Sequence, residues 1–397
     1  MRVVGWYSML WLAAGLLGAA CSSDSGGGGE EPIPSTGRDL MRFVSLASGS
    51  EIEAPQTRAS SELQTGFLVS TYKWLGNEQQ TVMSKYQACY QFSNTWKIYG
   101  STSDGFYQQQ DERYWDLSAS SYHFYAVAPG DKPNDVTLTD TQLRLPAENQ
   151  FEFHNETCTN GTLSNEGKET HYVAHVERKF ISGQEAHDYD KLMTGETEIN
   201  TTSSTPTRSV ALPFHHLISK VRFGLYTTVP QLPDDTWKIK SVTVKAKNSS
   251  GNLITQANGY DVTYTSNDGN LLKGSFGVTY PSTGEVTLIS TNKETKLNQC
   301  SKQTPFYLQC EGGMRQIPQS DISMEVTMVW SRAGGADETI TKVLTPPNGA
   351  TCFTWEPNQF YTYYIIITET ENIEIELTAS VTAWDTIVID INGSLEN

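Results

Sequence analysis

Residues Val210–Tyr226 read VALPFHHLISKVRFGLY, and no single regular element accommodates them. Val210, Leu212 and Phe214 alternate with Ala211 and Pro213, the two-residue period of a strand with one buried face. After His215–Ser219 the alternation resumes one residue out of phase: Val221, Phe223 and Leu225 take the inner face, and Lys220, Arg222 and Tyr226 the outer. A slip of one residue turns the opposite side chains inward, so the two halves belong to two strands joined at a bend. Just upstream, Thr201–Ser209 (TTSSTPTRS) has the composition of a linker. This places a domain boundary near 207/208, with a first domain over 59–207 and a second over 208–397.

A chain of 397 residues exceeds a comfortable single core, which agrees with two domains. Aromatic residues make up 11% of it, Gly, Ser and Thr are common, and turn signals recur about every ten residues, an all-β composition. The net charge of −17 argues against nucleic acid, or an anionic membrane surface, as a direct partner.

The first 20 residues carry Arg2, an apolar run through Trp11–Leu17 and the small residues Gly18, Ala19 and Ala20 before Cys21. That reads as a secretory signal followed by a lipidation site, where acylation of the Cys21 thiol is expected and Cys21 becomes the new N-terminus; the alternative is an ordinary signal peptide ending near Ala20 that leaves a free Cys21. The usual Leu three places before the Cys is Gly18 here, and Leu17 sits one place further out. Ser22–Pro34 (SSDSGGGGEEPIP) is a flexible tether with nothing to bury.

In the first domain, Leu40–Ala47 is a short strand with both faces mostly apolar, followed by the polar loop Ser48–Arg58. Further strands are expected at Gly66–Trp74, Ala88–Phe92, Trp96–Tyr99, Tyr122–Ala128 and Val136–Leu138; Phe151–Gly183 reads as loops around one hairpin or short helix. In the second, Trp237–Ala246, Val286–Ile289, Thr304–Leu308, Ile322–Trp330 and Thr339–Leu344 continue the series, with Ile322, Met324, Val326, Met328 and Trp330 forming an inward face.

From Ile373 to Ile391 almost every odd position is apolar, with Asp385 interrupting the row. At ~3.3 Å per residue that run spans roughly 60 Å, several times an ordinary strand. The chain therefore leaves its own sheet near Trp384-Asp385, and 386–397 needs another surface for Ile387, Ile389 and Ile391. Folding back onto the same domain is one solution; insertion as a donor strand into a neighbour's groove is the other.

Residues for chemistry are sparse. His171 and His175 lie four apart with His187, Asp188 and Asp190 nearby, but no Glu follows the first His, so the metalloprotease pattern fails and no metal site is expected. His215-His216 at the bend suit a structural hydrogen bond. Besides Cys21 there are Cys89, Cys158, Cys300, Cys310 and Cys352, an odd set without C-x-x-C; Cys300 and Cys310 either bridge or serve as small core side chains. Phosphate loops, G-x-S-x-G and EF-hand loops are lacking, so no cofactor and no catalytic residue is expected. Tyr86, Tyr90, Trp96, Tyr107, Tyr114 and Trp115 either form a sugar-stacking platform or pack in the core.

Phe214-His215, Leu217, Lys220-Val221 and Phe223 after a short apolar strand resemble the fimbrillin-type surface lipoproteins of the Bacteroidetes, subunits and accessory proteins of type V pili. Tyr122–Pro129 (YHFYAVAP) resembles the first-domain motif of that family, and Trp355, Phe360–Ile367 and Val381–Trp384 resemble its closing strands. The resemblance implies two tandem antiparallel β-sandwich domains of transthyretin-like, Greek-key type. It implies an outer-membrane lipoprotein on the cell surface, with Asp24 resembling the family's export signal. It further implies that an Arg-specific surface protease cuts between Arg58 and Ala59, removing the first strand within the 21–58 segment and opening a groove. Other pilus subunits then polymerise by strand exchange. The alternative is a monomeric, uncut surface lipoprotein, a pilus tip adhesin included, that binds a host or glycan ligand.

Overall fold

The computed structural model describes residues 40–41, 43–44, 66–91, 95–149, 151–165, 171–180, 186–193, 197–201, 210, 212–229, 237–266, 268–346, 349–369, 374–383 and 387–389. The chain is all-β, and its described strands form four sheets. The largest has ten strands and runs in the order Phe43–Val44, Thr95–Lys97, Glu78–Gln91, Phe67–Leu75, Ser121–Ala128, Tyr172–Phe180, Ala186–Asp190, Thr197–Thr201. Tyr172–Phe180 shares its far edge: Val176–Phe180 pair with Ala186–Asp190, while Tyr172 and Val173 pair with His216 and His215 of Leu212–His216. Ile387–Ile389 lies outside Leu212–His216.

The middle strands of this sheet are covered on both faces, which is why YHFYAVAP reads as a continuous apolar run instead of an alternating one. Phe124, Ala126 and Ala128 enter one core with Phe67, Trp96 and Phe214; Tyr125 and Val127 enter another with Leu68, Leu143 and Tyr260. The second of these cores is roofed by a five-stranded sheet drawn from both halves of the chain: Ile254–Thr263 pairs with Gln142–Leu145 and with Glu152–His154. Strands from both sides of the expected 207/208 boundary thus share a sheet, and Leu212–His216, expected to open the second domain, extends the first sheet.

A third core lies between an eight-stranded sheet centred on Trp237–Asn248 and Gln319–Arg332 and a four-stranded sheet centred on Ser219–Thr227 and Gln359–Glu369. Ile322, Met324, Val326, Met328 and Trp330 are all buried, as their spacing requires. A bulge between Ile239 and Ser241 accounts for the imperfect alternation of Trp237–Ala246. Lys220–Thr227 runs parallel to Phe360–Ile367, so this sandwich is not purely antiparallel.

Strand, bend and strand follow one another at Leu212–His216, Leu217-Ile218 and Ser219–Thr227. Tyr226, expected outward, is 4% exposed: Thr227 N donates to Cys300 O (3.0 Å) in a segment crossing beside it, and Tyr364 packs edge-on at 5.8 Å. The Phe151–Gly183 stretch holds the expected hairpin, Cys158–Thr159 with Thr162–Leu163, and also the long strand Tyr172–Phe180, whose polar residues disguised it. Thr304–Leu308 contributes only a bridge between Phe306 and Leu225. At the end of the chain, Glu374–Ala383 pairs with Gln359–Glu369, and Ile387–Ile389 joins a different sheet, so the alternating tail serves two sheets with the crossover where its length demanded one.

Candidate functional site

The two terminal strands occupy outer positions of the ten-stranded sheet. At one end, Phe43 and Val44 lie opposite Trp96 and Thr95. The segment before them is threaded between two elements: Leu40 bridges Tyr114, Met41 N donates to Arg113 O (2.8 Å), and the Tyr99 hydroxyl donates to Met41 O. Met41 is 1% exposed and belongs to the same core as Phe67 and Trp96. At the other end, Ile387, Val388 and Ile389 lie opposite Phe214, Pro213 and Leu212.

One aromatic residue connects these edges. The Phe67 ring lies 5.0 Å from Trp96, edge-on, and 5.3 Å from Phe214. The register partner of Phe43 and the register partner of Ile387, Trp96 and Phe214, therefore pack on a single ring in one core.

The strand that receives Ile387–Ile389 is fixed at its bend by a buried polar pin. His215 Nε2 lies 2.7 Å from Asp190 Oδ2, and Asn358 Nδ2 lies 2.8 Å from His215 Nδ1. His216 N donates to Asn358 Oδ1 (3.1 Å), which orients the amide so that its nitrogen donates to His215 Nδ1; His215 then donates to Asp190 through Nε2. Asp190 also accepts from Leu192 N (2.9 Å). Asn358 sits at φ 58 in the turn before Gln359–Glu369, so this pin joins the ten-stranded sheet to the four-stranded one. Asp190 entered the sequence reading only beside a metal motif that failed, not as the partner of His215, and Asn358 escaped it; the Pro357-Asn358 turn dipeptide was the available signal for the second.

More buried charge lies under the same strands. Arg178 and Asp188, both fully buried, form a two-pronged pair at 2.7 Å and 2.7 Å, with the guanidinium over Trp115. His175 Nδ1 donates to Gly269 O (3.0 Å), and its Nε2 faces His123 Nδ1 at 3.1 Å. Burial, then the neighbouring His123, hold His175 well below the usual histidine range. Burial opposes ionisation of Glu177, but His123, Lys191 and Lys179 outweigh it and bring the carboxyl down to about 2. His171 packs on Phe151 and Phe153 and is lowered to about 4 by burial first and Lys132 second. His215 and Asp190 make a histidine–carboxylate pair whose side chains are enclosed in the fold, 1% and 3% exposed. Among the described residues no group of three or more His, Cys, Asp or Glu is placed to hold a metal ion.

Cys21, Arg58, Ala59 and Ile391 lie outside the described residues; Ile387 and Ile389 lie in the C-terminal strand. Of the aromatics weighed as a sugar platform, Tyr86, Trp96 and Trp115 are core residues, the Tyr107 hydroxyl donates to Lys85 O, and Tyr114 is 39% exposed. Cys158, Cys300 and Cys310 are all free buried thiols, and the Cys300 sulfur lies against Lys296 O and Thr295 Oγ1.

A family profile described as fimbrillin-like matches residues 57–384. The chain belongs to the fimbrillin-like family. The match spans all four sheets and leaves both terminal strands, Phe43–Val44 and Ile387–Ile389, outside it. This fimbrillin-like chain is similar in structure to a fimbrial protein from Bacteroides vulgatus, at 14% identity over 87% of this chain and 100% of that one, with a TM-score of 0.43. It is also similar to a candidate cell adhesion protein from Bacteroides uniformis, at 13% identity over 89% and 100%, TM-score 0.38. A third similar structure is the fimbrial anchor protein Mfa2 from Porphyromonas gingivalis, at 10% identity over 89% and 99%, TM-score 0.23. No curated protein gives a significant match.

Proposed function

We propose that this protein is a structural or adhesive component of a bacterial surface pilus. In this reading it is exported as an outer-membrane precursor lipidated at Cys21, cut between Arg58 and Ala59 by an Arg-specific protease, and assembled with other subunits by exchange of terminal strands. The observation that supports it is the pairing of both terminal strands of a fimbrillin-like chain, over two and three residues, with strands whose Trp96 and Phe214 share one core. Cutting after Arg58 takes Met41, Phe43 and Val44 away from Trp96, leaving unpaired backbone groups and an uncovered apolar position. An extended segment from another subunit supplies both the ladder and the cover. Ile387, Ile389 and Ile391 form that segment, and donating them means breaking a short ladder to Leu212–Phe214. No step needs a catalytic residue.

A second reading is a monomeric, uncut surface lipoprotein that binds a ligand; the pairing of Ile387–Ile389 within its own chain favours it. The N-terminal sequence of protein recovered from the native cell surface separates the two. Strand exchange requires Ala59 as the first residue, in concatemers that survive SDS without heating, and Arg58→Ala then yields folded precursor that does not polymerise. Acylated Cys21 on monomers throughout would replace the first reading with the second.

A further inference from the structure

The hairpin Cys158–Leu163 comes from the first half of the chain, yet it docks on the second-half core. Cys158 lies opposite Ile289 in a parallel pairing, Asn160 N donates to Ser290 O (2.8 Å), and Asn292 N donates to Asn160 Oδ1 (2.9 Å). The Cys158 side chain is 1% exposed inside that core. Its thiol is directed at Gln309 O, 3.9 Å away and 151 residues further along the chain, the peptide oxygen that immediately precedes Cys310.

The turn carrying Cys310 is built to face this hairpin. Leu308 and Gln309 adopt φ 34 and φ 61, two consecutive left-handed residues without a glycine, a conformation that persists only where its surroundings enforce it. Here the Thr291 hydroxyl donates to Gln309 Oε1, and a Cβ at Gly161 would sit 3.6 Å from Gln309 O, in ordinary contact. The turn then delivers Cys310, 6% exposed, into the core that holds Cys158. Burial first, and the Cys158 sulfur second, push the Cys310 thiol up to about 12, which places the two sulfurs in each other's field. Cys300, much nearer to Cys310 in sequence, is directed elsewhere: its sulfur contacts Lys296 O at 3.4 Å and Thr295 Oγ1 at 3.8 Å.

We propose that Cys158 and Cys310 are a disulfide-forming pair, covalently tying the first-half hairpin to the second sandwich. The two thiols lose two protons and two electrons as the sulfur–sulfur bond forms, and the electrons reduce the disulfide of a thiol-exchange oxidant to two thiols through a mixed disulfide. Both thiols are enclosed in the folded chain and the Cys310 thiolate is scarce there, so the exchange takes place while the chain is folding. A cross-link over so long a stretch strongly restricts the unfolded chain. That the chain meets an oxidising compartment rests on the surface reading above; the capacity to form the bond does not.

The test is to refold the full chain in reduced and oxidised glutathione, cap the remaining thiols with N-ethylmaleimide in denaturant, and map the peptides. The expected product is one cross-linked pair, Cys158–Cys310, with Cys21, Cys89, Cys300 and Cys352 capped and a melting temperature several degrees above that of protein kept in dithiothreitol. Cys158→Ser and Cys310→Ser each lose the cross-link and the rise, whereas Cys300→Ser keeps both. Capping of both Cys158 and Cys310 in the refolded protein, or a link from either to Cys300, overturns the proposal. A cross-link that forms in vitro beside free thiols in protein taken from the cell surface supports the bond and counts against the oxidising compartment alone.

Discussion

Two long strands cross buried regions of this molecule by opposite means. Gln319–Arg332 presents Ile322, Met324, Val326, Met328 and Trp330 to its core, while Ser323, Glu325, Thr327 and Val329 on the other face stay half-exposed. Tyr172–Phe180 has no open face over its first seven residues, and His175, Glu177 and Arg178 are buried along with Tyr172, Val173, Ala174 and Val176. The first strand needs only apolar volume on one side. The second carries groups that must each find a partner: Asp188 for Arg178, Gly269 O for His175, Lys191 for Glu177. An apolar core responds to changes in volume, whereas a buried polar network responds to the loss of any one member.

The sharpest test of that contrast is Arg178→Met, which leaves Asp188 buried and unpaired and is expected to cost about 3–5 kcal/mol in urea unfolding. Adding Asp188→Leu recovers most of the loss, because two apolar residues of similar volume replace the pair; if the double variant is no better than the single one, the network is not what sets the cost. In the apolar core, Met328→Ala is expected to cost about 3 kcal/mol and Met328→Leu under about 1.5 kcal/mol. An equal loss from both would mean that shape, not volume, governs that core.

Acidification separates the two regions with a smaller effect. His171 and His175 have folded-state pKa values below the ordinary 6.5, so as pH falls through 6.5 the unfolded chain takes up protons that the folded chain refuses. Their contribution is complete above pH 6.5 and declines toward pH 4. Glu177, lowered from 4.5 to about 2, adds a further loss between those values, since its contribution is complete above the unfolded value. The urea midpoint should therefore fall between pH 6.5 and pH 4, and His171→Leu should flatten that fall. Tyr363 and Cys300 in the other core are raised and stay neutral throughout this range. The smallest effect is expected on the outer face of Trp237–Asn248, where Lys247 and Glu285 meet at 2.7 Å but stand largely in water: Lys247→Ala should leave the urea midpoint unchanged.

The same contrast separates what was legible in the sequence from what was not. Period-two alternation identifies a strand when one face meets water, so Ile322–Trp330 could be read directly, while the one-residue slip of phase between Phe214 and Val221 betrayed the bend at Leu217-Ile218. Tyr172–Phe180 hides because His175, Glu177 and Arg178 look like surface until Asp188 and Gly269 are placed beside them, and those pairings depend on the tertiary fold. Interleaving was hidden for the same reason: nothing local in Glu152–His154 announces that its partner is Gln256–Asn258. At the candidate site, the apolar rhythm of Ile387 and Ile389 was visible, but its pairing with Leu212–Phe214, and the Asp190 and Asn358 that hold His215, came only with the structure.

The parallel pairing of Lys220–Thr227 with Phe360–Ile367 also governs the order in which the molecule can be completed. The strand that opens the second sandwich waits for one that leaves the ribosome roughly 140 residues later, and the loop between them must close before any of that pairing is gained. Gln142–Leu145 likewise waits for Tyr260–Thr263. Early segments thus stay without their partners until nearly the whole chain is available. A nascent chain of this kind remains unfinished for most of its synthesis, with its early apolar strands waiting uncovered for partners that are made last.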